Sequence, residues 1–142
     1  MLYTFRFEGK KYAYDSASGA IFRPDALQFK MLNAIQLPLL PSCPTSLRYE
    51  LAKFDSLDVE STYDSIYALA QKNVLFAAED GSVRVMTEGE FAFPSTALMA
   101  AALAEAFANA ASPIRFEVLG SDAEAAKTVA AETAARLGKV IA

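Results

Sequence analysis

Few residues of this chain are equipped for chemistry. Cys43 is its one cysteine and it has no histidine, so the usual general base is missing. A single thiol can hold neither zinc nor an iron–sulfur cluster, and it forms no internal disulfide. Asp15, Asp25 and Asp80 stand where turns or helix starts need an acceptor, and no spacing fixes two carboxylates as an acid–base pair. Gly120-Ser121 precedes the last helix and offers backbone donors of the kind that cradle an anion. Asp122 and Glu124 place negative charge on the same turn, which favours an ordinary cap. The side chains predict no catalytic centre and no cofactor, so function must come from surfaces.

Those residues are carried by a chain of 142, 54% hydrophobic, long enough for one sizeable core or two small ones and far from disordered composition. A net charge of −4 gives no electrostatic reason to expect nucleic acid as a partner. Arg6, Lys10, Lys11 and Arg23 form a small basic patch that reads as a solvated face. The N-terminus alternates aromatic and charged residues instead of showing the basic head and apolar run of a signal peptide. The alanine-rich stretch 97–111 is broken by Glu105 and Asn109 and is too short to span a bilayer. A cytoplasmic protein with no membrane partner is expected.

The stretch 5–32 organises the rest. Tyr3, Phe5 and Phe7 alternate with Thr4, Arg6 and Glu8, and Tyr12 and Tyr14 follow beyond Gly9 on a second strand pattern. Asp15-Ser16-Ala17-Ser18-Gly19 supplies a second reversal, and Ala20-Ile21-Phe22-Arg23 a third strand that Pro24 ends. Helical spacing then recurs at Leu27, Met31 and Ile35, at Leu47, Leu51 and Phe54, and at Val59, Tyr63, Ile66 and Ala70. Between the first two helices, Pro38, Pro41 and Pro44 make 36–44 an extended connector. Asp58 is the expected N-cap of the third helix, and Asn73 its terminator. Asp80-Gly81 between Val74–Ala77 and Val83–Met86 predicts a hairpin. The expected fold class is α+β, with a winged-helix-like domain at 1–86 and a small α/β segment at 87–142.

The order of these elements, with Phe7, Gly9, Tyr12, Tyr14-Asp15, Ser18-Gly19, Ile21-Phe22, Asp25, Phe29 and Leu32, resembles the N-terminal recognition domain of radical SAM peptide maturases, the class called RiPP recognition elements. Tyr63, Ile66, Leu69, Lys72 and Val74-Leu75-Phe76 fit the end of the same domain. The resemblance implies a precursor, or leader, peptide as partner, added as an extra strand to the edge of the sheet beside the third helix. Carried over, the open edge is Ala20, Ile21, Phe22 and Arg23, with Tyr63, Ile66 and Tyr67 lining a groove. Arg23 and Lys72 would meet an acidic leader. On residue type alone, Ile21, Tyr63 and Ile66 are ordinary core residues, and Tyr67 is the one expected to be exposed. A third helix bearing Glu60 and Asp64 disfavours DNA.

After residue 86 alanine dominates. A helix through Met99, Leu103, Ala106 and Ala110 is followed by a strand at 114–119, a helix opened by a Ser121–Glu124 capping box, and a strand at 139–142. Strand, helix and strand predict a right-handed crossover and a parallel pair. So small a sheet needs covering by the first domain or another chain, which predicts a homodimer or fixed partner. This segment is similar to the opening of a radical SAM barrel, but the cluster cysteines are absent and Gly120 alone matches the Gly-Gly-Glu-Pro segment. The combined expectation is a non-catalytic peptide-binding protein that presents a precursor to a separate radical SAM maturase. The alternatives are a scaffolding homodimer, or a small-ligand or nucleotide module at Gly120–Asp122.

Overall fold

A computed structural model describes all residues 1–142 as an α+β fold of five helices and five strands. Strands β1 (Leu2–Phe7), β2 (Lys10–Asp15) and β3 (Ala20–Phe22) form an antiparallel meander, followed by helices α1 (Ala26–Ala34), α2 (Thr45–Glu50) and α3 (Ser56–Gln71). Strand β4 (Ser82–Met86), helix α4 (Thr96–Asn109), strand β5 (Arg115–Leu119) and helix α5 (Ala123–Arg136) complete the chain.

Local chemistry sets most boundaries. Glu8 and Gly9, both at positive φ, make the two-residue turn between β1 and β2. The Asp15 carboxylate accepts from Ala17 N at 2.9 Å and Ser18 N at 3.3 Å, fixing the second reversal, and it is fully buried. At α1, Asp25 and Gln28 form a capping box, with bonds of 2.8 and 2.9 Å, worth about 1 kcal/mol. Asp55, not Asp58, caps α3: its Oδ1 accepts from both Leu57 N and Asp58 N, so Asp58 lies inside the first turn. At the other end Asn73 takes the left-handed geometry expected of it, φ 59°.

The expected hairpin after α3 does not form. Val74 N–H donates to Leu69 carbonyl at 3.0 Å and Leu75 is fully buried among the helices, so this stretch finishes α3 instead of pairing with β4. Strand β4 pairs in parallel with β5 across the α4 crossover, Val83 opposite Phe116 and Val85 opposite Val118. The final strand shrinks to a parallel bridge between Ile114 and Ile141.

The three-stranded sheet is a middle layer with a core on each side. Leu2, Ala13 and Phe22 face α1, α2 and α3, where Met31, Leu47, Val59, Tyr63 and Ile66 are buried. Tyr3, Phe5, Tyr12, Tyr14 and Ile21 face α4, which contributes Leu98, Leu103 and Phe107, and α5, whose Ala126, Ala130 and Ala134 allow close approach. Burial of each large apolar side chain here contributes about 1.5–3 kcal/mol. This second core crosses the 86/87 boundary expected between two domains, so the C-terminal segment has its cover within the same chain. No helix is long and apolar enough to cross a membrane.

Candidate functional site

An antiparallel meander has two edges, and hydrogen-bond alternation along each strand fixes which backbone groups point outward. On β3, Ile21 is the outward residue, and its N–H donates to Phe91 carbonyl at 3.0 Å. Just before it, Gly19 carbonyl accepts from Met86 N at 3.2 Å and Ser16 carbonyl from Arg84 N at 2.8 Å. Residues 84–91 therefore lie along the edge on which the peptide was expected. Gly19 permits this approach: a Cβ there would stand 3.0 Å from the backbone of Val85 and Met86.

Several groups lock that contact. Tyr14, fully buried, donates its hydroxyl to Arg84 carbonyl at 2.5 Å, and its burial raises its pKa well above the ordinary tyrosine value. The Arg84 guanidinium donates to Ala17 carbonyl at 2.7 Å, to Glu117 Oε2 at 2.8 Å and to Asp80 Oδ2 at 2.5 Å. Asp80 is held down to about 2, first by the Ser82 N–H and then by Arg84.

Most residues expected to line the peptide groove are buried in the protein's own cores. Ala20, Ile21, Tyr63 and Ile66 are 0–3% exposed, Phe22 and Tyr67 are half-buried, and only Arg23 is exposed. Tyr63 packs in the helical core and donates its hydroxyl to Leu40 carbonyl at 2.6 Å. Tyr67 is less exposed than its position promised, because the same core reaches it. Arg23 lies at the strand's end, apart from the buried four.

The turn at Gly120–Asp122 is likewise taken. Ser121 N–H donates to Glu88 Oε1 at 3.0 Å and Asp122 N–H to Thr87 Oγ1 at 3.4 Å, so the donors that would cradle an anion are already used. A Cβ on Gly120 would overlap Thr87 Oγ1. The expected Ser121–Glu124 box is absent: Asp122 is the N-cap and makes no side-chain cap bond.

The open edge is β1. Ser16 N–H donates to Met1 carbonyl at 2.9 Å, so the odd-numbered residues of β1 bond toward β2 and Leu2, Thr4 and Arg6 turn their N–H and C=O groups outward. None of these groups bonds to another part of the chain. A cavity of about 410 Å³ borders the Leu2 end, walled by Leu32, Ile35, Leu37 and Phe76. At the other end Arg6 and Lys11 stand over the Phe29 ring, 6.0 and 5.0 Å from its centroid. Asn33 lies between, accepting the Thr4 hydroxyl at 2.6 Å. Sequence reasoning chose β3 by resemblance and missed β1. The available signal was length: β3 is three residues before a proline, whereas β1 runs for six.

Compared with known proteins, the chain matches no family model, and no curated protein is similar enough to count as a relative.

Proposed function

We propose that this chain is a non-catalytic, cytoplasmic peptide-recognition protein that takes up an extended segment of a precursor peptide as an added strand and presents it to a separate radical SAM maturase. The meander followed by three helices supports the recognition-element resemblance, and the single cysteine and absent histidine support the lack of catalysis. The carrying observation is the unpaired backbone of Leu2, Thr4 and Arg6, which offers a guest the main-chain bonds that strand addition requires. The docking edge is thus moved from β3 to β1.

Thr4→Pro tests it, because proline there removes an outward N–H without breaking the β1–β2 ladder. Thr4→Val keeps the N–H and removes only the hydroxyl bonded to Asn33. With a labelled leader segment from a precursor encoded beside the gene, wild type and Thr4→Val bind and Thr4→Pro does not. Failure of the wild type to bind any neighbouring precursor, or equal binding by a folded Thr4→Pro, overturns the reading.

A scaffolding subunit is the second reading, favoured by the closure of β3 against residues 84–91. It expects no peptide at either edge and a stable dimer in light scattering.

A further inference from the structure

Two cations stand side by side on one face of the sheet, neither of them in an ion pair. Arg6 is directly opposite Lys11 in the β1–β2 register, and both lie over Phe29. Like charges so placed repel, and the outward turn of Arg6 makes this one of the close, non-hydrogen-bonded pairs. Lys30 borders the same 370 Å³ cavity. No carboxylate comes within 4.0 Å of any of the three, although Glu50 shares the cavity wall; the chain's ion pairs involve Met1, Arg48 and Arg84 instead. On an acidic protein this is a local concentration of unspent positive charge.

The apolar cavity beside Leu2 and the basic one beside Arg6 lie on the same face of β1, because Leu2 and Arg6 have the same parity. They are four residues, or about 13 Å, apart along the strand. A strand laid against β1 presents to that face its own residues at i, i+2 and i+4. We infer that the guest is an acidic peptide whose aspartate or glutamate meets Arg6, Lys11 and Lys30, and whose apolar residue, four positions later in the antiparallel sense, fills the Leu2–Ile35–Phe76 cavity. This rests on the β1 edge being the docking edge, and it supplies the selectivity which backbone bonds alone lack. Nucleic acid fits less well, since three cations beside Glu50 on a chain of net charge −4 make no extended phosphate track.

The probe is the capped, labelled peptide TTETTTLTT, compared with TTKTTTLTT, TTETTTTTT, and a form N-methylated at the Glu, central Thr and Leu. Fluorescence anisotropy up to about 1 mM peptide reads the affinities. In about 50 mM NaCl the Glu peptide binds about tenfold more tightly than the Lys peptide, and the gap narrows at about 500 mM, where screening shortens to a few ångströms. The Arg6→Gln/Lys11→Gln double variant, which changes no residue of either buried core, binds both alike. Replacing the Leu weakens binding, and N-methylation abolishes it. Equal binding of the Glu and Lys peptides, with no binding of the N-methylated form, overturns the acidic-guest inference and leaves the edge reading standing. Binding that survives N-methylation, or no binding of any peptide, overturns the edge reading itself. Tighter binding of a single-stranded oligothymidine than of the Glu peptide overturns the choice of partner.

Discussion

The two edges of the central sheet, β1 of six residues and β3 of three, have opposite fates. At β3 the chain returns on itself: Ser16 and Gly19 accept bonds from β4, and Ile21 donates to Phe91. At β1 the groups of Leu2, Thr4 and Arg6 meet no other part of the chain. An exposed strand edge is a liability that folded proteins usually cover, so leaving the longer edge bare while sealing the shorter one suits a surface kept for a partner. Strand identity does not decide which edge is free; what the downstream chain reaches does.

Hydrogen exchange gives the largest expected contrast. The Ile21 amide, bonded to Phe91 and 3% exposed, should exchange only when the fold opens, at least about a thousandfold slower than the outward amides of Thr4 and Arg6. Similar rates at Ile21 and Thr4 would erase the distinction between the edges. Addition of the Glu peptide proposed above should slow Thr4 and Arg6 while leaving Ile21 unchanged.

The glycines of the two turns allow a mutational version. Gly9 and Gly19 both have positive φ, but a Cβ on Gly9 meets nothing within 4 Å, whereas one on Gly19 runs into the backbone of Val85 and Met86. Gly9→Ala should cost about 1 kcal/mol, the left-handed strain alone. Gly19→Ala adds a forced shift of β4 and should cost about 3 kcal/mol. Urea unfolding of the two variants measures the gap. Equal costs would mean that β4 is not seated on the turn.

The same contrast marks how far the sequence could be read. Alternation in Tyr3–Phe7 and Tyr12–Tyr14, the acceptor at Asp15, the capping residue at Asp25 and the terminator at Asn73 act within a few residues, and each element they imply is present. Asp55 and Asp58 are both plausible caps, three residues apart, and where the helix begins decides between them. Asp80-Gly81 carries a local hairpin signal, yet Leu75 is drawn into the helical core and β4 finds its partner 33 residues on at β5, through the α4 crossover. The site shifted for the same reason. Ala20, Ile21, Tyr63 and Ile66 were legible as apolar, but whether an apolar residue lines a groove or fills a core depends on segments elsewhere: α4 and residues 84–91 for Ile21, and α1, α2 and Leu75 for Tyr63 and Ile66.

The smallest effect tests what holds the sealed edge shut. Arg84 donates to Ala17 in the β2–β3 turn while Asp80 and Glu117 hold its guanidinium, so the carboxylates steady the clamp from outside. Asp80 has its pKa lowered from 3.8 to about 2, chiefly by the Ser82 N–H and then by Arg84. A lowered folded-state value means that its contribution is complete above pH 3.8 and is lost as pH falls through about 2. Asp80→Asn keeps an acceptor for Ser82 and removes the charge facing Arg84, so it isolates the ionic part. Because Asp80 is exposed, water and salt screen that part, and the variant should be only slightly less stable near neutrality. The wild type's advantage should shrink between pH 3.8 and about 2, and it should shrink further in high salt. Equal stability of wild type and Asp80→Asn at every pH and salt concentration would assign the clamp to Glu117 and the Ala17 carbonyl alone.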